Sequence, residues 1–289
     1  MGMKNRCPRA AVSAFFLALS LVSTAHAQSL KIVTSIKPLQ LIAIAVTGDA
    51  NGVDSLLDAR FSPHDYQFRP SDRAALQQAD VVFWVGPGFE TFLRGPLATL
   101  PQHVRVVALQ DAAASATDDG HVWMDPLQAV AIARRMAAEL GERVPAQRER
   151  WQRNAEQLAA ALSREDASLR QQFADAQPLR QFLVTHDTYH YFEKRYRLRH
   201  AAALADNAEQ PSGVRNMLQV QKLVSDGTIG CVFREPQYEP KVLQSLVRTR
   251  PGLNVVTVDP MASDITPTPD GIVRFYRELG QSALRCLRS

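Results

Sequence analysis

The chain has 289 residues, three cysteines and a formal net charge of +4. Three of the positive charges, Lys4, Arg6 and Arg9, fall before residue 10, so the sequence beyond residue 27 carries only +1. With no basic patch interleaved with aromatics, nucleic acid is excluded as an expected partner.

In chain order, the three basic residues precede an apolar run over 10–22 that ends at Ala25-His26-Ala27. This is the layout of a secretory signal peptide with an A-x-A cleavage site. The rival reading, a retained anchor, needs roughly 20 apolar residues to cross a bilayer; this run is shorter. Cleavage after Ala27 leaves 262 residues, enough for one large or two modest domains. No cysteine sits at the cleavage point to take a lipid, so a soluble periplasmic product is expected. Cys7 leaves with the signal, and Cys231 and Cys286 remain in an oxidising compartment. A disulfide is the natural expectation, with two unpaired thiols as the alternative.

Two blocks of alternating short apolar runs and amphipathic helical patterns follow, the mark of α/β architecture. The strand-like runs are 31–37, 52–57, 81–86 and 104–109 in the first block, then 181–186, 200–204, 230–235 and 254–259 in the second. Positions 81–85 are apolar throughout, as in a strand covered on both faces of a parallel sheet. Between the blocks, Trp151, Ala155, Leu158, Leu162, Leu169 and Phe173 recur at helical spacing, with Pro145 suited to a first turn and Pro178 beyond the end. A helix over 145–173 would be roughly 43 Å long and would join the blocks as a stiff spine; two shorter helices breaking near 164–167 is the alternative. The expected fold is therefore α/β with two lobes, each a mainly parallel β-sheet flanked by helices. The expected division is a signal at 1–27, an N-terminal lobe at 28–144, a linker helix at 145–177 and a C-terminal lobe at 178–289.

In open parallel sheets, ligands bind beyond the carboxyl ends of the strands. Four titratable side chains fall there: His64 in the loop after the second run, His121 after the fourth, His186 closing the fifth and Asp259 closing the eighth. Two come from each lobe, and all would face one cleft. Three imidazoles and a carboxylate suit Zn2+, whereas manganese favours more oxygen. Glu235 is a substitute for the fourth ligand. Glu235 and Glu90 are also candidates to orient ligand histidines. His103, His190 and His200 are read as loop, solvent-facing or packing, and strand-edge residues, and Trp84 and Trp123 as core.

These residues sit in motifs that resemble a known family. They include 34–39 (Thr-Ser-Ile-Lys-Pro-Leu), His64-Asp65-Tyr66, Trp84-Val85-Gly86-Pro87, His121-Val122-Trp123, His186-Asp187, Phe233-Arg234-Glu235-Pro236-Gln237 and Asp259-Pro260. In order, and over essentially the whole mature chain, they resemble the zinc-binding components of bacterial ABC importers, the ZnuA type within the cluster A-I metal-binding proteins. The resemblance implies zinc ligation by His64, His121 and His186, with Asp259 or water in the fourth position. It implies a Cys231–Cys286 bond, a long helix joining the lobes, and delivery to the inner-membrane permease of an ABC transporter. A monomer and a periplasmic metallochaperone as donor complete that expectation. Manganese-binding relatives carry a glutamate where His186 stands, so the histidine favours zinc. Two departures are apparent. The segment 111–120 is short and lacks the histidines of the family's metal-rich loop, which argues against a second site there, and His190 stands where glycine is common. Competing readings are a manganese or iron binder on the same fold, and a periplasmic zinc hydrolase with water in an open fourth position. No H-E-x-x-H motif supports the hydrolase, and a non-enzyme is expected.

Overall fold

A computed structural model of the chain describes residues 1–2, 30–113, 119–207, 210–211 and 213–288. The expected signal segment lies almost wholly outside the described residues. In the first lobe, β1 (Ile32–Thr34), β2 (Val53–Ser55), β3 (Val81–Trp84) and β4 (Arg105–Ala108) form a parallel sheet in the order β2-β1-β3-β4. The helices of this lobe are α1 (Lys37–Thr47), α2 (Pro70–Gln77), α3 (Arg94–Ala98) and α4 (Pro126–Arg143). All four residues of β3 are buried, because helices cover both faces of the sheet.

Then comes α5 (Arg148–Asp175), preceded by a 3-10 turn over Pro145–Gln147. The second lobe contains β5 (Gln181–Val184), α6 (His190–Tyr196), β6 (Ala202–Ala203) and a hairpin of β7 (Ala205–Asn207) with β8 (Gln210–Pro211). It continues with α7 (Val214–Ser225), β9 (Ile229–Arg234), α8 (Lys241–Thr249), β10 (Asn254–Thr257) and α9 (Gly271–Leu287). Its sheet runs β10-β9-β5-β6, again parallel. Each sheet thus places its first strand beside its third, with the chain going out one way and returning to the other side. That reversal opens a crevice at the carboxyl ends of the strands.

Local chemistry fixes several helix ends. Pro38 lies in the first turn of α1, where its missing N–H costs nothing. At the other end Gly48 takes φ 78° so that its N–H caps the Ile44 carbonyl. Asp125 caps α4 by accepting the Leu127 N–H at 2.8 Å, with Pro126 following it.

The spine is unbroken through 164–167. Its apolar stripe, from Trp151 to Phe173, is buried, and so are Glu165 and Asp166 in the middle. Those carboxylates made the stripe look interrupted in the sequence; each is paired with a guanidinium of the second lobe, Glu165 with Arg277 at 2.7 Å and Asp166 with Arg195 at 2.5 Å. Apolar packing runs through α1, α4, α5 and α9 without a gap, so residues of both lobes share one core.

Cys231 on β9 is bonded to Cys286 on α9, with Cα atoms 5.5 Å apart. The bond closes 55 residues, which the chain-entropy relation values at about 4 kcal/mol. Replacing both cysteines with serine is expected to lower the unfolding free energy by roughly 2–5 kcal/mol, read as a fall in the urea midpoint, with a steeper slope because the unfolded chain is no longer cross-linked.

Candidate metal centre

Three histidines converge in the crevice from the ends of three different strands. His64 lies in the loop between β2 and α2, its N–H held at 3.2 Å by the Ser62 hydroxyl. His121 opens a 3-10 turn after β4, and His186 follows β5 by two residues. Their ligand-capable nitrogens all lie within 4.8 Å of one another, the one such cluster among the described residues. His64 Nε2 and His121 Nε2 are 3.3 Å apart. Nitrogens bonded at 2.0–2.1 Å to a tetrahedral ion lie roughly 3.3 Å apart, so this pair already spans one edge of such a tetrahedron.

Each buried histidine of the cluster has a carboxylate behind it. Asp119 Oδ1 meets His121 Nδ1 at 2.7 Å and also accepts the His121 N–H at 3.0 Å. Glu235 Oε2 lies 3.3 Å from His186 Nδ1. Both Nδ1 positions are therefore committed, and both rings present Nε2 to the crevice. His186 Nε2 is buried and has no hydrogen-bond partner among the described residues. Such an orphaned atom is costly unless something occupies the space in front of it.

Electrostatics follow from the same geometry. Burial, with the neighbouring His121 and His186, pushes the His64 pKa down to about 3, so it stands neutral with its lone pair available. At His186 burial acts downward, but the hydrogen bond and charge of Glu235 outweigh it and hold the pKa above the ordinary imidazole value. Burial raises the Asp119 carboxyl while the bond to His121 lowers it, and the net direction is down.

The crevice narrows here to about 10 Å3, room for about one water-sized sphere. Trp123, Gln237, Pro260 and Met261 are among its walls. Phe89 stands edge-on to both His64 and His121, with ring centres 5.0 Å from each. Gly120 lies against Phe89 so closely that an added Cβ would fall 2.5 Å from Phe89 Cβ.

The structure brings together His64, His121 and His186, but not Asp259. The Asp259 carboxylate is wrapped by its own turn: Oδ1 accepts from the Met261 N–H and from Gln237 Nε2, both at 2.9 Å, and Oδ2 from the Ser263 N–H at 2.5 Å. Both of its oxygens are thus engaged by the turn and by Gln237. Glu235 is likewise outside the cluster and serves His186 instead. Glu90 turns inward to accept the Val85 and Gly86 N–H groups, and burial pushes its pKa up to about 7. His200 is bonded to Glu193 at 2.7 Å, and Trp123 is fully buried, its Nε1 donating to the Pro260 carbonyl. Sequence reading missed Asp119 as the partner of His121, although an aspartate two residues before a ligand histidine is a usable signal. It also missed Phe89 and Gln237, which only the fold brings to the crevice.

Residues 32–282 match the sequence pattern of the family described as "Zinc-uptake complex component A periplasmic". The high-affinity zinc uptake system protein ZnuA of Brucella abortus (strain 2308) is 29% identical, over 89% of this chain and 91% of that protein. Among solved structures, the crystal structure of ZnuA superposes with a TM-score of 0.74 at 25% identity, over 88% of this chain and 99% of that one. A ZnuA mutant lacking 138–173, with zinc bound, gives 0.76 at 24%, covering 90% and 98%.

Asp119→Ala is expected to weaken metal binding by about 10- to 100-fold, the usual effect of removing the acceptor behind a ligand histidine. Gly120→Ala must displace Phe89 from the two rings that rest on it and is expected to weaken binding as well, by about tenfold if it costs ~1.4 kcal/mol. Competition against a chelator of known affinity checks both.

Proposed function

The chain belongs to the family of periplasmic zinc-uptake component A proteins, and from that premise we propose that it captures Zn2+ with His64, His121 and His186, and hands it to the permease of an ABC transporter. The observation that carries this reading is the convergence of three imidazole nitrogens from both lobes, one pair already at the 3.3 Å spacing of a zinc tetrahedron. Water takes the fourth position, since Asp259 is committed to its own turn. An all-nitrogen protein shell favours zinc over manganese.

A binding role, as opposed to hydrolysis, is supported by what the nearby carboxylates do. A hydrolase needs one poised as a base beside the metal's water, whereas Asp119 and one oxygen of Glu235, Oε2, are engaged behind the His121 and His186 rings. Among the described residues no helix is long and apolar enough to cross a membrane, in keeping with a periplasmic carrier. Removal of 1–27, a monomeric state and loading by a metallochaperone belong to the same proposal.

Several direct contacts cross between the lobes beside the site: Trp123 Nε1 to the Pro260 carbonyl at 2.8 Å, Tyr191 hydroxyl to the Asp119 carbonyl at 3.0 Å, and Lys37 Nζ to the Ser263 carbonyl at 2.6 Å. Together with the shared core they favour release by a small local rearrangement.

Residues 28–289, stripped of metal, are titrated with zinc and with manganese in competition with chelators. Zinc is expected to bind at least 1,000-fold tighter, roughly 4 kcal/mol; weak zinc binding beside tight manganese binding would refute the proposal. The pH dependence has a definite sign. A metal needs neutral imidazoles, and His64 stays neutral down to about pH 3. His186, whose pKa is raised, must shed a proton first. Zinc affinity is therefore expected to be flat above that pKa and to fall about tenfold per pH unit below it, with Glu235→Gln moving the break to lower pH.

A further inference from the structure

One side chain both lines the metal cavity and crosses between the lobes. Gln237 follows β9 by three residues, and its Nε2 faces three acceptors: the Ala59 carbonyl of the first lobe at 2.7 Å, Asp259 Oδ1 at 2.9 Å and Ser263 Oγ at 2.8 Å. Ser263 Oγ itself lies 3.0 Å from the Ala59 carbonyl, to which it donates, so it presents a lone pair to the amide. Three acceptors at one end fix that end as the NH2, because a flipped amide would set its oxygen against a carbonyl and a carboxylate. The other end, Oε1, is buried and has no hydrogen-bond partner among the described residues, while Gln237 is one of the residues lining the cavity of the three histidines. An amide oxygen in that position accepts protons and supplies none. Ala59 lies in the loop that carries His64, five residues before it.

We propose that Gln237 is a positioning residue that couples the bound ion to the contact between the lobes: its oxygen accepts a proton from the ion's water, and its nitrogen holds the backbone of the His64 loop. This rests on the zinc reading above. It assigns Asp259 a purpose other than ligation, which is to hold the Gln237 amide in register. The ion then tightens the very loop that delivers one of its ligands, and losing the ion's water loosens that loop.

The test compares wild-type residues 28–289 with Gln237→Met, which removes both ends of the amide, and Gln237→Glu, which keeps an oxygen for the cavity but no donor for Ala59. Two quantities are read: the rate of zinc release to excess chelator, and amide hydrogen exchange over 58–64 with and without zinc. In the wild type, zinc is expected to slow exchange in that segment. Gln237→Met is expected to release zinc about tenfold faster, and neither variant should show the zinc-dependent slowing. Gln237→Glu reads the coupling even where the methionine variant is too unstable to purify. Wild-type release and wild-type slowing in either folded variant overturn the coupling alone. A wild-type protein that fails to bind zinc overturns the zinc reading, and the coupling with it.

Discussion

Everything in the site depends on holding three imidazoles, tilted or edge-on to one another with ring centres 5.1–5.5 Å apart, in a narrow crevice. The arrangement is unfavourable by itself: His64 is desolvated beside two other rings, and His186 Nε2 is buried with nothing to bond. Leaving one buried polar atom unsatisfied costs about 1–3 kcal/mol. The protein bears this because the rings are not free to turn away. Asp119 and Glu235 fix two of them from behind, and Phe89 blocks retreat of His64 and His121 on a third side. A divalent cation that accepts nitrogen ligands relieves the cost at all three rings at once.

That preorganisation depends in turn on the way the lobes are joined. Two separately cored domains on a flexible tether would let His186 drift from His64 and His121. Here the apolar stripe of α5 and the shared core leave little freedom for relative motion, and the ion pairs of Glu165 and Asp166 attach the second lobe to the spine at a fixed rotation. Pairs of this kind, with the carboxylate buried and the guanidinium partly exposed, are better evidence of registry than of net stability, since desolvation offsets much of their attraction.

Much of this was legible in the sequence because it follows from short-range pattern. Seven of the eight parallel strands fall within the apolar runs read from 31–37 through 254–259 and β9 begins one residue before its run, while the helix expected over 145–173 appears as a 3-10 turn and α5 on its apolar stripe. The three histidines were recoverable because each follows a strand, where loops converge. What was not legible came from long-range geometry. Asp259 also follows a strand, and nothing in Val258-Asp259-Pro260 reveals that the Met261 and Ser263 amides and the Gln237 side chain will claim its oxygens. Glu235 and Glu90 looked alike as carboxylates near strand ends, yet one reaches a ligand ring and the other folds back on the Val85 and Gly86 amides. The alternative of a break at 164–167 could not be dismissed from the sequence for the same reason, since the arginines that pair with Glu165 and Asp166 come from elsewhere in the chain.

The last helix has a bearing on how the molecule is put together in time. Gly271, at the start of α9, is so near Leu41 of α1 that an added Cβ would sit 2.9 Å from its Cδ2, and the Tyr276 hydroxyl donates to the Trp123 carbonyl at 2.5 Å. Residues near the carboxyl end thus complete the packing of the amino-terminal lobe. A chain made from its amino terminus onward cannot finish its first lobe until its final twenty or so residues arrive. The half that is synthesised earliest must wait, incompletely packed, for the half that is synthesised last.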